Sequence, residues 1–351
     1  MSKLFEGKRI LITGGTGSLG QVLARRLLTC AEGTPESVTV FSRDEAKQHY
    51  MRLDFMQRFA ATDEVIFENS RQRLKFVIGD VRDYASVLRV ARNADIIFGA
   101  AALKQVPSCE YFPWEAVRTN IEGAENLVRA IAQSDLPVET VMGISTDKAC
   151  KPVNVMGMTK AIQERVYIEG NLRAPKTRFI CARYGNVLAS RGSVVPLFLD
   201  QIAAGGPVTI TTPDMTRFLL TLDDAVDTIF AAVRSAEAGE TYIPQCPSAK
   251  MTDLAACLIG ERDIETVITG IRPGEKIHEA LLSEEEATRT VFGAEGYYAL
   301  KPMLPELADP VEEPALVGEY SSANELMSVS ELSEFLAHKI PEAIGQNYLE
   351  T

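Results

Sequence analysis

Read for periodicity alone, the first half of the chain alternates short apolar runs with longer amphipathic stretches. Arg9–Thr13, Ser37–Ser42, Leu74–Ile78, Ala94–Phe98, Val141–Ile144 and Arg178–Arg183 are dense in β-branched, aliphatic and aromatic residues. Such short apolar runs predict buried strands. Helical stretches separate them, among them Gln21–Leu28, Trp114–Ala132 and a helix capped by Asn154 that extends to about Glu169. An asparagine at that place can accept from the first free N–H groups of a helix. Strand and helix repeated in this order predict an α/β fold, a Rossmann-type doubly wound parallel sheet. Ligands in such sheets lie at the carboxyl ends of the strands. Gly14 to Gly20, Asp80, Ala100 and Thr146 all fall there.

The pattern breaks after Arg183. A helix through Ile202, a turn at Gly205-Gly206-Pro207 and a short strand Val208–Ile210 come next. The amphipathic stretch Leu222–Val233 then returns to the main sheet. Gly270 to Lys276 reads as a loop opening a helix, and a proline-rich segment precedes a last helix near Val329–Lys339. These shifts predict a cofactor domain over 1–185, with 218–245 returning to it. A smaller interleaved substrate domain takes 186–217 and 246–300, and 301–351 forms a C-terminal extension.

The first strand runs directly into Gly14-Gly15-Thr16-Gly17-Ser18-Leu19-Gly20 and then a helix. A dinucleotide pyrophosphate needs this arrangement: a tight turn, close backbone approach, and a helix N-terminus with free N–H groups. The second strand ends in Ser42-Arg43, with Asp44 next and Lys47 beyond. An arginine here can pair with a 2′-phosphate, so NADP is favoured, with NAD possible. Small residues, Ala100, Ala101 and Ala102, follow the fourth strand and let a flat cofactor lie against backbone. Asn120, a poor helix former in mid-helix, marks either a specific hydrogen bond or a surface position. After the fifth strand comes Ser145-Thr146-Asp147-Lys148, then Met156 one helical turn before Lys160. Strand end, loop and helix thus present a hydroxyl, an acid and two amines toward one crevice.

Composition narrows the picture. The 351 residues carry a formal charge of -12, which argues against broad nucleic-acid binding but leaves an anionic substrate open. Six cysteines without CxxC spacing fit a reduced, cytoplasmic protein, and three histidines not spaced as ligands argue against a histidine-based metal site. No signal pattern opens the chain and no apolar window is long enough to span a membrane.

TGGTGSLG, SRDEAKQ, GDVRD, AAALKQVP, STDKACKP, NVMGMTK, RYGNV and RPGEK, in this order, closely resemble the extended short-chain dehydrogenase/reductases. Within these the chain resembles the UDP-N-acetylglucosamine 4,6-dehydratases of surface-polysaccharide and flagellin-glycan synthesis, in their short soluble form. The resemblance implies a homo-oligomer with UDP-N-acetylglucosamine as substrate. It assigns the cofactor to Thr13, Gly14, Thr16, Gly17, Ser18, Leu19, Gly20, Ser42, Arg43, Lys47, Asp80, Val81, Ala100, Ala101, Ala102, Lys104, Asn120, Lys160, Tyr184 and Asn186. It assigns the substrate to Lys104, Asn186, Arg191, Val195, Arg217, Arg272 and Glu275. Thr146, Asp147, Lys148, Met156 and Lys160 become the catalytic set: Thr146 on the C4 oxygen, Asp147 as acid at C6, Lys148 as base at C5, Lys160 on the nicotinamide ribose. For this Lys148 must be neutral, helped by burial and the nearby Lys160 cation, and Asp147 must hold its proton.

Two departures stand out. Met156 occupies the tyrosine place of YxxxK, as in a subset of these dehydratases, and a thioether cannot take the C4 hydroxyl proton. Asp147, or a water relay through Thr146, would take over that step. Gly99 stands where the family usually has a histidine before AAALKQVP. Other readings of the same residues are a dehydratase or epimerase for another nucleotide sugar, such as a GDP-linked one, and a non-catalytic NADP-binding relative.

Overall fold

The computed structural model describes residues 3–56, 61–188, 193–308 and 310–347. Its strands in chain order begin with β1 (Arg9–Thr13), β2 (Ser37–Ser42), β3 (Leu74–Ile78), β4 (Ile96–Gly99), β5 (Thr140–Ile144), β6 (Arg178–Ala182), β7 (Val208–Ile210) and β8 (Thr216–Phe218). They continue with β9 (Thr241–Ile243), β10 (Ser248–Lys250), β11 (Thr266–Ile268), β12 (Ala280–Leu282), β13 (Thr290–Phe292), β14 (Tyr298–Leu300) and β15 (Tyr320–Ser321). Nine of these form one sheet, ordered β13-β14-β9-β6-β5-β4-β1-β2-β3. The run from β3 to β9 is parallel, because a helical crossover separates each strand from its neighbour. The fold is therefore the doubly wound α/β sheet that the periodicity predicts.

Both faces of the sheet are buried, as continuous apolar strands require. Ile10, Ile12, Val38 and Val40 pack with Leu23 and Ile229 on one side. Leu11, Phe41, Val141 and Phe179 pack with Val128 and Tyr167 on the other. Each such side chain contributes ~1.5–3 kcal/mol of burial. The helix Leu222–Ser235 does return the chain to the sheet, through β9.

Three expectations need correction. The hairpin β13–β14 pairs antiparallel and extends the main sheet, so 290–300 belongs to its edge rather than to the smaller lobe. The loop 270–276 leads into β12, not a helix. Ala280, Leu281 and Leu282 are consecutive and all buried, and β12 pairs with β15. Trp114–Ala132 is broken into Pro113–Ala116, a π-helical stretch Val117–Glu122 and the helix Gly123–Ser134. The wider turn directs Asn120 inward, where it is fully buried.

The smaller lobe holds the pairs β7–β11, β8–β10 and β12–β15. Its core joins Val195 and Phe198 to Leu254 of the helix Met251–Ile259. Leu332 and Leu336 of the last helix, Val329–Asn347, complete that core, so the C-terminal extension is part of this lobe.

Candidate active site

The sheet changes direction between β1 and β4, and a cavity of about 390 Å³ opens at their carboxyl ends. Gly14 has φ +65°, and a Cβ there would lie 2.6 Å from the Ala101 backbone. A Cβ on Gly20 would meet the Gly15 backbone at 2.5 Å, so this glycine seats the helix Ser18–Leu28 on the turn. The N-terminus of that helix has no side-chain cap, which leaves its first N–H groups for a ligand. That cradle fits a dinucleotide pyrophosphate. Thr16, Gly17, Ser18, Leu19, Ser42, Arg43, Lys47, Asp80, Val81, Ala100, Ala101, Ala102 and Lys104 line the same cavity.

Two residues expected on the cofactor, Thr13 and Asn120, are buried and brace the walls of the site. Thr13 Oγ1 donates to the Phe98 carbonyl and accepts from Ala101 N, each at 3.3 Å. Asn120 Oδ1 accepts from Leu103 N at 2.8 Å, while its amide donates to Leu103 O and to Thr159 Oγ1. Asn120 thus ties the 100–104 loop to the helix Val155–Arg173. Neither lines the cavity.

A second cavity, of about 290 Å³, adjoins the first and is lined by Thr146, Asp147, Lys148, Met156, Lys160, Tyr184 and Asn186. β5 ends at Ile144 and the loop closes into a short 3-10 turn, Asp147–Ala149, that Thr146 caps. Asn154 caps the following helix by accepting from Gly157 N at 2.8 Å. Met156 is buried against Cys109 and Ala116 yet still faces the cavity. Lys160 donates to the Ile144 carbonyl and to Gln163 Oε1. Burial lowers its ammonium to about 8 against the opposing pull of Glu164. At Gly99, a Cβ would come within 2.4 Å of Tyr167 Oη. Tyr167 therefore fills the space beside Gly99.

Lys148 lies at the centre of the charge. Its Nζ donates to Asp147 Oδ1 at 3.0 Å and Asn186 Oδ1 at 3.2 Å, and pairs with Glu279 Oε1 at 3.2 Å. Burial alone would lower this ammonium, but Asp147 and Glu279 outweigh it and hold it above the ordinary lysine value. The expectation for Lys148 named burial and Lys160; the structure adds a second carboxylate, Glu279, against its ammonium. Asp147 is 1% exposed and Glu279 3%. Among the described residues, Asp147 Oδ2 and Glu279 Oε2 are buried without a hydrogen-bond partner. Burial, then the Asp147 charge, raise the Glu279 carboxyl above its usual range, with Lys148, Arg217 and Lys276 opposing.

A third cavity, of about 380 Å³, extends from Lys148 into the smaller lobe past Arg217, Arg272, Glu275 and Glu279. Lys104 lines all three cavities. The Arg217 guanidinium is held by the carbonyls of Thr216, Lys276 and Ile277. Arg272 is largely exposed, and Glu275 Oε2 is buried without a hydrogen-bond partner among the described residues. Val195 is fully buried in the lobe core and its neighbours Ser193 and Val194 face the cavity instead. Arg191 lies outside the described residues. Sequence reasoning passed over Glu279, although it closes the run that starts at RPGEK.

A second buried charge network lies behind the catalytic loop. Arg183 contacts Glu164 through Nε and Nη2, and Glu286 and the Leu281 carbonyl through its remaining donors. Ser145 Oγ donates to Glu164, and Cys150 Sγ to Glu286, so both ends of the loop Ser145–Cys150 are fixed to it.

Comparison with known proteins adds a family to this geometry. Residues 10–301 match the family described as polysaccharide biosynthesis protein. A UDP-glucose 4-epimerase of Rickettsia conorii is 42% identical over 291 residues, covering 82% of this chain and 81% of that protein. An uncharacterized membrane protein of Methanocaldococcus jannaschii is 42% identical over 297 residues, covering 82% and 84%. In the chain described here, no helix among the described residues is long and apolar enough to cross a membrane. The X-ray structure of Pen from Bacillus thuringiensis has a TM-score of 0.83 at 32% identity, covering 96% of this chain and 99% of that one.

Proposed function

We propose, for a chain that belongs to the polysaccharide biosynthesis protein family, that it is a nicotinamide-dependent 4,6-dehydratase of UDP-N-acetylglucosamine, with NADP as the preferred cofactor. The observation that carries this reading is the buried acid–amine contact of Asp147 and Lys148, placed between the dinucleotide cradle and the cavity of the smaller lobe.

The C5 proton of a hexose is not acidic until C4 is a ketone. When bound, the nicotinamide supplies the means to oxidise C4 and later to reduce C6, with no net oxidation. Gly14, Gly17 and the Ser18 helix end would hold its pyrophosphate, and Arg43 with Lys47 a 2′-phosphate. The chain's own residues then handle the protons. Met156 has no ionisable group, so the C4 hydroxyl proton passes through Thr146 to Asp147; Thr146 Oγ1 already donates to Asp147 Oδ1 at 2.8 Å. Asp147, now an acid, gives that proton to the departing C6 hydroxyl. Lys148, as the amine, takes the proton from C5 and returns one there. Arg217 and Arg272 face the cavity that suits a nucleoside diphosphate.

An epimerase reading is favoured by the name of the Rickettsia relative. Epimerisation at C4 needs the cofactor and a base on the C4 hydroxyl, but no acid–base pair at C5 and C6. The purified protein incubated with UDP-N-acetylglucosamine and analysed by mass spectrometry decides. Loss of one water is expected. An isomer of unchanged mass supports the epimerase, and no product from any nucleotide sugar refutes both.

A further inference from the structure

The dehydration reading leaves one proton without a destination. Lys148 must be an amine when it attacks C5, yet its ammonium is clamped between two carboxylates. Asp147 cannot take that proton, because in the same reading it receives the one from the C4 hydroxyl. Glu279 is the other group in contact. It is nine-tenths or more buried, its Oε1 is 3.2 Å from Lys148 Nζ, and its Oε2 has no hydrogen-bond partner among the described residues, Lys276 Nζ standing 4.0 Å away. An unpartnered buried carboxylate oxygen is costly as an anion and much less so as an acid.

We propose that Glu279 is the positioning residue that holds the Lys148 proton during dehydration. One N–H bond of the Lys148 ammonium breaks and one O–H bond forms on Glu279. The ammonium–carboxylate pair becomes an amine and a carboxylic acid, and no other group changes charge. Water leaving the cavity as the nucleotide sugar enters drives the step, since a low dielectric penalises the ion pair more than the neutral pair. The charged groups facing Glu279 are Asp147 and Lys148 from the loop after β5, Arg217 from β8, and Lys276 of its own loop at 4.0 Å. The diphosphate, seated beside Arg217, offsets Arg217 and Lys276, which with Lys148 keep Glu279 ionised, and burial with Asp147 already raises that carboxyl.

The inference rests on the dehydratase reading, and its test separates the two. The rate of dehydration of UDP-N-acetylglucosamine is followed from acid to alkaline pH for the wild type, Glu279→Gln and Glu279→Asp. The glutamine variant is expected to lose about 10- to 100-fold in kcat at neutral pH. It recovers as pH rises and Lys148 loses its proton to solvent, so the acid limb of its profile moves upward, with KM little changed. The aspartate variant recovers part of the loss. A uniform loss at every pH, or an unchanged profile, overturns the proposal while the dehydratase reading stands. A wild type that forms no dehydrated product refutes the reading itself. Infrared spectroscopy of wild type carrying ¹³C-glutamate decides without any variant: UDP addition should bring up a protonated carboxyl band that shifts with the label, and its absence overturns the proposal.

Discussion

Two buried charge clusters sit back to back across the loop Ser145–Cys150, and they differ in how completely they are satisfied. Around Arg183 every donor has an acceptor: its five N–H groups go to Glu164, Glu286 and the Leu281 carbonyl. Both carboxylates take further bonds, from Ser145, Ser283 and Cys150. Around Lys148 the ammonium is satisfied, but one oxygen each of Asp147 and Glu279 has no hydrogen-bond partner among the described residues. A saturated buried network has one proton arrangement and serves as a brace. An unsaturated one has open positions for protons or ligand atoms, which acid–base chemistry requires.

The comparison is tested first by removing the acid. Asp147→Asn should cut dehydration by about 10⁴-fold, the upper range for a positioned acid or base. The melting temperature should hardly move. A large loss of stability instead would make the Lys148 cluster a brace as well. Arg183→Met should do the reverse, leaving two buried carboxylates unpaired and costing about 3–5 kcal/mol in denaturant unfolding. An Arg183→Met protein as stable as wild type would show that saturation contributes nothing. Gly99→Ala pushes a methyl against Tyr167 and should cost about 1–3 kcal/mol. Tyr167→Phe added to it should recover part of that loss in the same unfolding assay, since Oη is the nearest atom.

Smaller effects follow outside the clusters. Arg43→Ala should weaken NADP binding about tenfold in a titration and leave NAD unchanged, the loss expected for one charge-assisted contact. Lys160 gives a pH signature. Its folded-state value of about 8 lies below the ordinary lysine value of 10.5. Between these values the unfolded chain binds more protons than the folded one, so stability rises with pH across that window. At neutral pH the lysine is protonated in both states and the slope vanishes. Lys160→Met should flatten the rise in pH-dependent unfolding.

How much of this was legible in the sequence follows from range. The glycine turn, the Thr146-Asp147-Lys148 run and the Asn154 cap are local patterns, each readable within one turn or loop. The strands are legible because consecutive apolar residues need no partner to identify them. The charge on Lys148 is not local. It depends on Glu279, which comes more than a hundred residues later, just before β12, so burial and Lys160 are the influences a sequence suggests. Arg183 and Glu164 were hidden for the same reason: an arginine closing an apolar strand and a glutamate one turn beyond Lys160 look ordinary until they meet. Asn120 stands out in the sequence as a poor helix former in mid-helix, and the π turn explains why it points inward. The place of the edge hairpin β13–β14 in the main sheet is not legible, because pairing partners cannot be read from the strands themselves.

The central claim is that the unsaturated cluster moves protons at C4, C5 and C6 of one sugar. Running the reaction with UDP-N-acetylglucosamine in deuterated water, with proton NMR and mass spectrometry of the product, tests it most directly. The account predicts a product that has lost one water, with solvent deuterium at C5 delivered by Lys148 and the C4 hydrogen retained at C6. A product of unchanged sugar mass with ordinary hydrogen at C5 would contradict it.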